Sequence, residues 1–236
     1  MSQPAILIAV LAGCLITGPA GAQSSGGFFG SRFDSGMLAI QEKVEALYQQ
    51  GEYERALFIY ENELAPLGDK YAQYMVGFMH LTGTGVPEDA IEASAWYRLA
   101  AERSYPEFVA VRDRLLEAFS EPDLLNSDQQ YRALRRKYSD LVILERLIRE
   151  DLRLLEPSTG SRLAGSNSAI TVLEPRSGKV VPVEQVQSRA RQRIEERLDL
   201  IDAMIEPDKV ETDVDRLDLD VLRQQIDAAL ERIDDR

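Results

Sequence analysis

From Met37 onward, apolar positions recur every three or four residues, the period of an α-helix. Leu38, Val44, Leu47 and Tyr48 share one face up to a break at Gln50-Gly51-Glu52. Tyr53, Ala56, Leu57, Tyr60 and Leu64 continue the pattern to Pro66, so the spacing predicts a helical hairpin. Leu67-Gly68-Asp69 is a second break, and a helix from Tyr71 to Thr82 follows it. Further helices are predicted from Pro106 to Phe119 and from about Asp128 to Leu155. In the second of these, Tyr131, Leu134, Tyr138, Leu141, Ile148, Leu152 and Leu155 keep a three-four spacing interrupted at Glu145. That spacing suits a coiled-coil seam, or a long helix laid across the end of those before it.

The pattern then changes. EPSTGSRLAGSNS has the composition of a linker. Ile170-Thr171-Val172-Leu173 and Lys179-Val180-Val181 flank Pro-Arg-Ser-Gly, which predicts a small β-hairpin over residues 169–183. Helical spacing returns at Val186, Ala190, Ile194, Leu198, Ile201 and Ile205, is broken at Glu206-Pro207-Asp208, and resumes at Leu219, Leu222, Ile226, Ala229 and Ile233. These stripes predict a C-terminal αα-hairpin.

The stretch LTGTGVPEDAIEASAWYRLAA, Leu81 to Ala101, holds the chain's one tryptophan. Gly83 and Gly85 suit positive φ at a helix exit, and Pro87 stiffens the connection. Asp89 is a good N-cap, with Glu92 placed for a capping box. Small residues permit close helix packing, and Trp96 and Tyr97 fill the space between layers. Two resemblances rest on these residues. GEYERALFIY resembles the tetratricopeptide pattern through Gly51, Tyr53, Ala56 and Tyr60. Residues 72–105 resemble one unit of the related Sel-one-like repeat family through Ala72, Val76, Gly77, Gly83, Gly85, Val86, Asp89, Ala93, Trp96, Tyr97, Ala100 and Ala101. His80 replaces a usual Tyr, and Ser104 stands where a Gly commonly ends the unit. The resemblance implies an all-α fold, a short α-solenoid. About three stacked units are usually needed for stability, so a helix from Pro106 would begin a degenerate third.

The N-terminal segment changes the picture of location. MSQPAILIAVLAGCLITGPAGAQ holds no charged side chain, and Ala5 to Gly18 is apolar. Ala20-Gly21-Ala22 is a small-x-small cleavage pattern, so residues 1–22 read as a signal peptide and the protein as exported, with the periplasm expected. Leu11-Ala12-Gly13-Cys14 also resembles a lipoprotein lipobox. Apolar residues running on past Cys14 favour simple cleavage over lipidation there, and membrane contact is expected only with lipidation. Residues 23–36, rich in Gly and Ser, read as a flexible leader. The remaining organisation is a repeat region at 37–119, a capping helix at 120–155, a linker with a possible hairpin at 156–183, and a C-terminal helical hairpin at 184–236.

Charge and chemistry narrow the function. A formal net charge of -13 argues against nucleic acid as partner, since like charges repel. Arg135-Arg136-Lys137 is too short to reverse that and reads as a solvated helix face. The single histidine, His80, excludes multi-histidine metal sites and His-paired nucleophiles. Gly83-Thr84-Gly85 lacks the third glycine and the strand of a phosphate loop. Glu206 to Asp220 is rich in acids without the spacing of a calcium loop, and reads as a solvated helix start. No catalytic, cofactor or metal residue is assigned. The resemblance implies a non-enzymatic interaction scaffold of the bacterial cell envelope, binding a partner protein or peptide in the repeat groove. A self-associating coiled-coil protein is the alternative. An enzyme of the kind linked to β-lactam binding in cysteine-rich relatives is disfavoured, because the cysteine pairs and a Ser-x-x-Lys element are missing.

Overall fold

The structure is a computed structural model that describes residues 35–155, 171–173, 179–204, 221–228, 230 and 231. The segments expected to form the signal peptide with Cys14, nearly all of the leader, the 156–170 linker and the acidic stretch 206–220 lie outside the described residues. The fold is all-α with one small β-hairpin. The chain divides into two compact units, one ending at Ile143 and the other beginning at Leu144.

In the first unit, α1 (Ser35–Gln49) leads through Gly51, φ 78°, into α2 (Tyr53–Ile59). The sequence predicts one helix up to Pro66. Instead the chain widens into a π-helical turn, Tyr60–Leu64, and tightens into a 3-10 turn, Ala65–Leu67, before Gly68 closes it with φ 79°. Pro66 contributes no backbone N–H, so a regular α-ladder has no reason to continue through it. The next hairpin is α3 (Lys70–Thr82) and α4 (Ala90–Ala100), followed by a 3-10 turn at Ala101–Arg103. Both helices are capped by aspartate. Asp69 Oδ1 accepts from the Ala72 N–H at 3.0 Å, and Asp89 Oδ1 accepts from the Glu92 N–H at 2.9 Å. The reciprocal half of the expected capping box is not formed. The Asp89 N–H donates to the His80 carbonyl at 2.8 Å, and the Glu92 side chain turns to Trp96.

Two more helices, α5 (Pro106–Glu117) and α6 (Glu121–Tyr138), both pack on α4. The core lies between α1, α2, α3 and α4, with Tyr131, Leu134 and Tyr138 of α6 resting on it. The single capping helix expected over 120–155 is two helices. Ser139, with ψ 153°, separates α6 from α7 (Asp140–Leu155) and accepts through its hydroxyl from the Val142 N–H. A Ser-Asp pair is an N-cap signal in mid-pattern. The apolar spacing hid it, and the supposed seam is cut there.

The second unit holds the rest of α7, strands β1 (Thr171–Leu173) and β2 (Val180–Pro182), α8 (Val183–Met204) and a helix, α9, over 221–228. The strands pair antiparallel with Val172 opposite Val181. Val186, Ala190, Ile194 and Ile201 of α8 are buried as their spacing requires. Arg197 is buried with them. It donates to the Leu147 carbonyl at 3.0 Å and pairs with Asp151, which Arg193 also grips at 2.6 Å.

Candidate functional site

The site is built on the contact between α3 and α4. A Cβ on Gly77 would sit 2.9 Å from Cδ1 of Tyr97 and 3.1 Å from the Ala93 carbonyl, so only glycine lets the two helices approach this closely. Ala72, Ala93 and Ala100 are fully buried and Ala101 nearly so. The loop after α3 turns at Gly83, φ 66°, and Gly85, φ 76°. A Cβ on Gly85 would lie 2.7 Å from the Tyr53 backbone, so this glycine also admits the preceding hairpin. Trp96 is buried, donates to Glu92 Oε1 at 3.0 Å, and lies 5.1 Å from the Tyr138 ring. These residues are architecture: they turn, cap and fill. Ala56 and Tyr60 are buried with them, whereas Tyr53 is 39% exposed and places its ring edge-on to Tyr48 at 5.2 Å.

Packing α4 against one side of α3 leaves another side with a different composition. Tyr71, Tyr74 and Phe78 stand at i, i+3 and i+7, one face of the helix. All three are half-buried: they rest on the core and keep part of their rings open. The rings form a continuous row. Tyr60 meets Tyr71 at 6.5 Å, Tyr71 stacks on Tyr74 at 6.5 Å, and Tyr74 stacks on Phe108 of α5 at 5.3 Å. Tyr105 closes on Phe108 edge-on at 6.0 Å. The sequence by itself marks no partner-binding residue in this row. Its signal was legible in YAQYMVGF as three aromatics at helical spacing, but the same spacing also describes core.

Burial keeps the phenols of Tyr60 and Tyr71 in the row, and of Tyr48 beside it, neutral. Burial is the main cause in each case, raising Tyr48 and pushing Tyr71 up to about 12, with Glu45 adding to both. Tyr60 is raised by burial and then by Tyr71 and Glu45. All three are hydrogen-bond donors at neutral pH. His80 lies on α3 with its imidazole pKa lowered by burial, against the opposing pull of Glu61 and Asp89. It is a half-buried neutral ring.

Below the row, polar groups fix the base of the repeat. The Lys70 ammonium, 1% exposed, donates to the Leu99 carbonyl at 2.9 Å and to Glu102 at 2.8 Å. Arg103 grips Asp140 through two bonds, at 2.8 and 3.1 Å, and reaches the Gly68 carbonyl at 3.1 Å. Among the described residues no group of three or more His, Cys, Asp or Glu is placed to hold a metal ion, and no helix is long and apolar enough to cross a membrane.

Residues 70–105 match the Sel1 repeat. The match begins where α3 begins and ends at Tyr105, so the Sel1 repeat comprises α3, its glycine turn, α4 and the Ser104 turn. Sel1 repeats generally mediate protein–protein interaction and are typically non-enzymatic. No curated protein and no solved structure matches the chain. Ser104 explains one departure of this Sel1 repeat from the usual pattern: with φ 56°, it takes the left-handed conformation that glycine adopts at no steric cost.

Proposed function

We propose that this protein is a non-enzymatic adaptor that captures a partner protein or peptide on the aromatic face of its Sel1 repeat. The observation that carries this reading is the row Tyr71, Tyr74 and Phe78, supported from behind by Tyr97 and Phe108 and left half-open in front. Rigid aromatic side chains offer large contact area at small entropic cost, which is what interaction hot spots use. The fixed base of the repeat suits the same role, since a preorganised surface loses little freedom when a partner docks.

The place of action in this reading is the bacterial cell envelope, reached through the signal-peptide pattern at residues 1–22. The partner is an envelope protein or peptide, and the C-terminal helices offer a second surface for self-association. The test is crosslinking in intact cells with the full chain, followed by recovery of bound proteins. Wild type is expected to recover a defined partner from the envelope fraction, and Tyr74→Leu, which keeps the core filled, to lose it. Equal recovery by the two chains would overturn the site. A chain found in the cytoplasm after fractionation would overturn the location.

A further inference from the structure

The aromatic row is open in front, and the chain enters the fold beside one end of it. Tyr71, Tyr74 and Phe78 rest on the same core cluster as Met37 and Ile40 from the first turns of α1. Gln41 Nε2 donates to Asp69 Oδ2 at 2.8 Å, and Asp69 caps α3 two residues before Tyr71. The start of α1 and the start of α3 are therefore neighbours. The residues that precede Ser35 join the fold at the Tyr71 end of the row.

That preceding stretch, QSSGGFFGSRFD over residues 23–34, has the chemistry to cover the row. Phe28, Phe29 and Phe33 are its only apolar side chains. Rings without polar groups pack on half-open tyrosine faces, stacked or edge-on, and give up no hydrogen bond in doing so. Phe28 stands seven residues before Ser35, and an extended chain of that length covers about 23 Å. Tyr71 to Phe78 is also seven residues, but helical, and spans only about 10 Å. Charge favours the chain's own leader over a second copy. Arg32 is the one charged side chain before Asp34, whereas the whole chain carries -13. Two such chains repel each other, while a segment without acidic residues is not repelled by its own chain.

We propose that the leader docks on its own chain, with Phe28 and Phe29 seated on Tyr71 and Tyr74, and occludes the aromatic face until a partner segment displaces it. The occlusion rests on the adaptor reading given above; the docking does not. The tether supplies what a small apolar contact lacks. A segment joined through a short linker acts at roughly millimolar effective concentration, so a weak intrinsic affinity is enough to hold it. A partner displaces it by making more contacts than two phenylalanine rings offer.

The test adds a fluorescein-labelled peptide of residues 24–33, SSGGFFGSRF, to the full-length chain and follows fluorescence anisotropy. The variant Phe28→Ser/Phe29→Ser/Phe33→Ser has no competing leader. It should bind the peptide about tenfold more tightly than wild type, the masking that a millimolar tether gives an intrinsic affinity of about 100 µM. Adding Tyr74→Leu to that variant should weaken the peptide about five- to tenfold. Equal affinity of variant and wild type, no binding to either, or binding indifferent to Tyr74→Leu would each overturn the docking. Masking seen only in a dimer, by light scattering at the same concentrations, would assign the face to a second copy and overturn it as well. The two readings fail separately. If the peptide arms fail while Tyr74→Leu still loses the crosslinked partner, the leader falls and the adaptor stands. If the peptide arms hold while partner recovery is indifferent to Tyr74→Leu, the adaptor and the occlusion fall and the docking stands.

Discussion

The Lys70 ammonium lies 3.1 Å from Oδ1 of Asp140, and each side chain is only 1% exposed. Lys70 opens the first helix of the Sel1 repeat, and Asp140 opens α7, seventy residues later in the chain. Glu102 joins them, receiving the Lys70 ammonium and the Asp140 backbone N–H. Arg103 grips the same Asp140, so two bases meet two acids in a largely buried cluster, and removing Lys70 leaves an uncompensated charge.

Lys70→Met is expected to destabilise the first unit by about 3–5 kcal/mol, the range for breaking a buried pair from one side. Urea unfolding of the full chain, followed by Trp96 fluorescence, measures it. Glu102 sets the pH dependence, because burial holds its carboxyl above the ordinary value of 4.5 while Lys70 opposes the rise. Without Lys70 that rise grows. The loss should therefore be greatest at neutral pH and shrink as the pH falls and Glu102 takes its proton. A loss independent of pH would count against the pairing.

Glu92 is also raised by burial, with the Trp96 hydrogen bond pulling the other way. Its folded pKa lies above its unfolded one. The stability it contributes is therefore complete below the unfolded value near 4.5 and declines as pH rises through the folded value. Glu92→Gln keeps an acceptor for Trp96 and removes the titration. The variant should melt above wild type at pH 7, and the gap should close on acidification. Calorimetry at several pH values checks this, and a gap that widens in acid would refute the assignment.

Ser104 holds a left-handed conformation that costs a non-glycine residue about 1–2 kcal/mol. Ser104→Gly relieves that strain and loosens the unfolded chain. A net gain of about 0.5–1 kcal/mol is expected, read as a higher urea midpoint at unchanged slope. A variant no more stable than wild type would place the strain elsewhere.

Gly77 and Gly51 should respond oppositely to local space. Gly77→Ala drives a methyl against the Tyr97 ring and should cost about 1–3 kcal/mol by overpacking. Gly51→Ala meets nothing within 4 Å, so only its positive φ resists, about 1–2 kcal/mol. Crystal structures of the two variants separate the causes: the α3–α4 spacing widens in the first and stays fixed in the second.

Legibility in the sequence followed the range of the interactions. The two positive-φ glycines after α3 and the Asp89 cap act within a few residues, so their residue types announced them. The helical periods of α3 and α4 were plain for the same reason. The break at Ser139 is masked in the sequence because the apolar spacing from Tyr131 to Leu155 runs straight through its local cap signal. The burial of Arg197 is not legible in the sequence, because arginine is expected outside even at an i+3 place after the core residue Ile194. Asp151 and the Leu147 carbonyl, brought up from another helix, make that burial tolerable.

The sequence by itself determined an all-α chain with a Sel1 repeat, because turns, caps and helical period are set by neighbours along the chain. The tertiary structure decided the rest. It chose which aromatics sink, as Tyr97 does, and which stay half-open, as Tyr71, Tyr74 and Phe78 do. It paired Lys70 with Asp140 across the fold and, among the described residues, left the Tyr60 hydroxyl buried and unmatched. These depend on what a side chain meets from distant segments, and helical spacing alone gives a core tyrosine and a binding tyrosine the same signature.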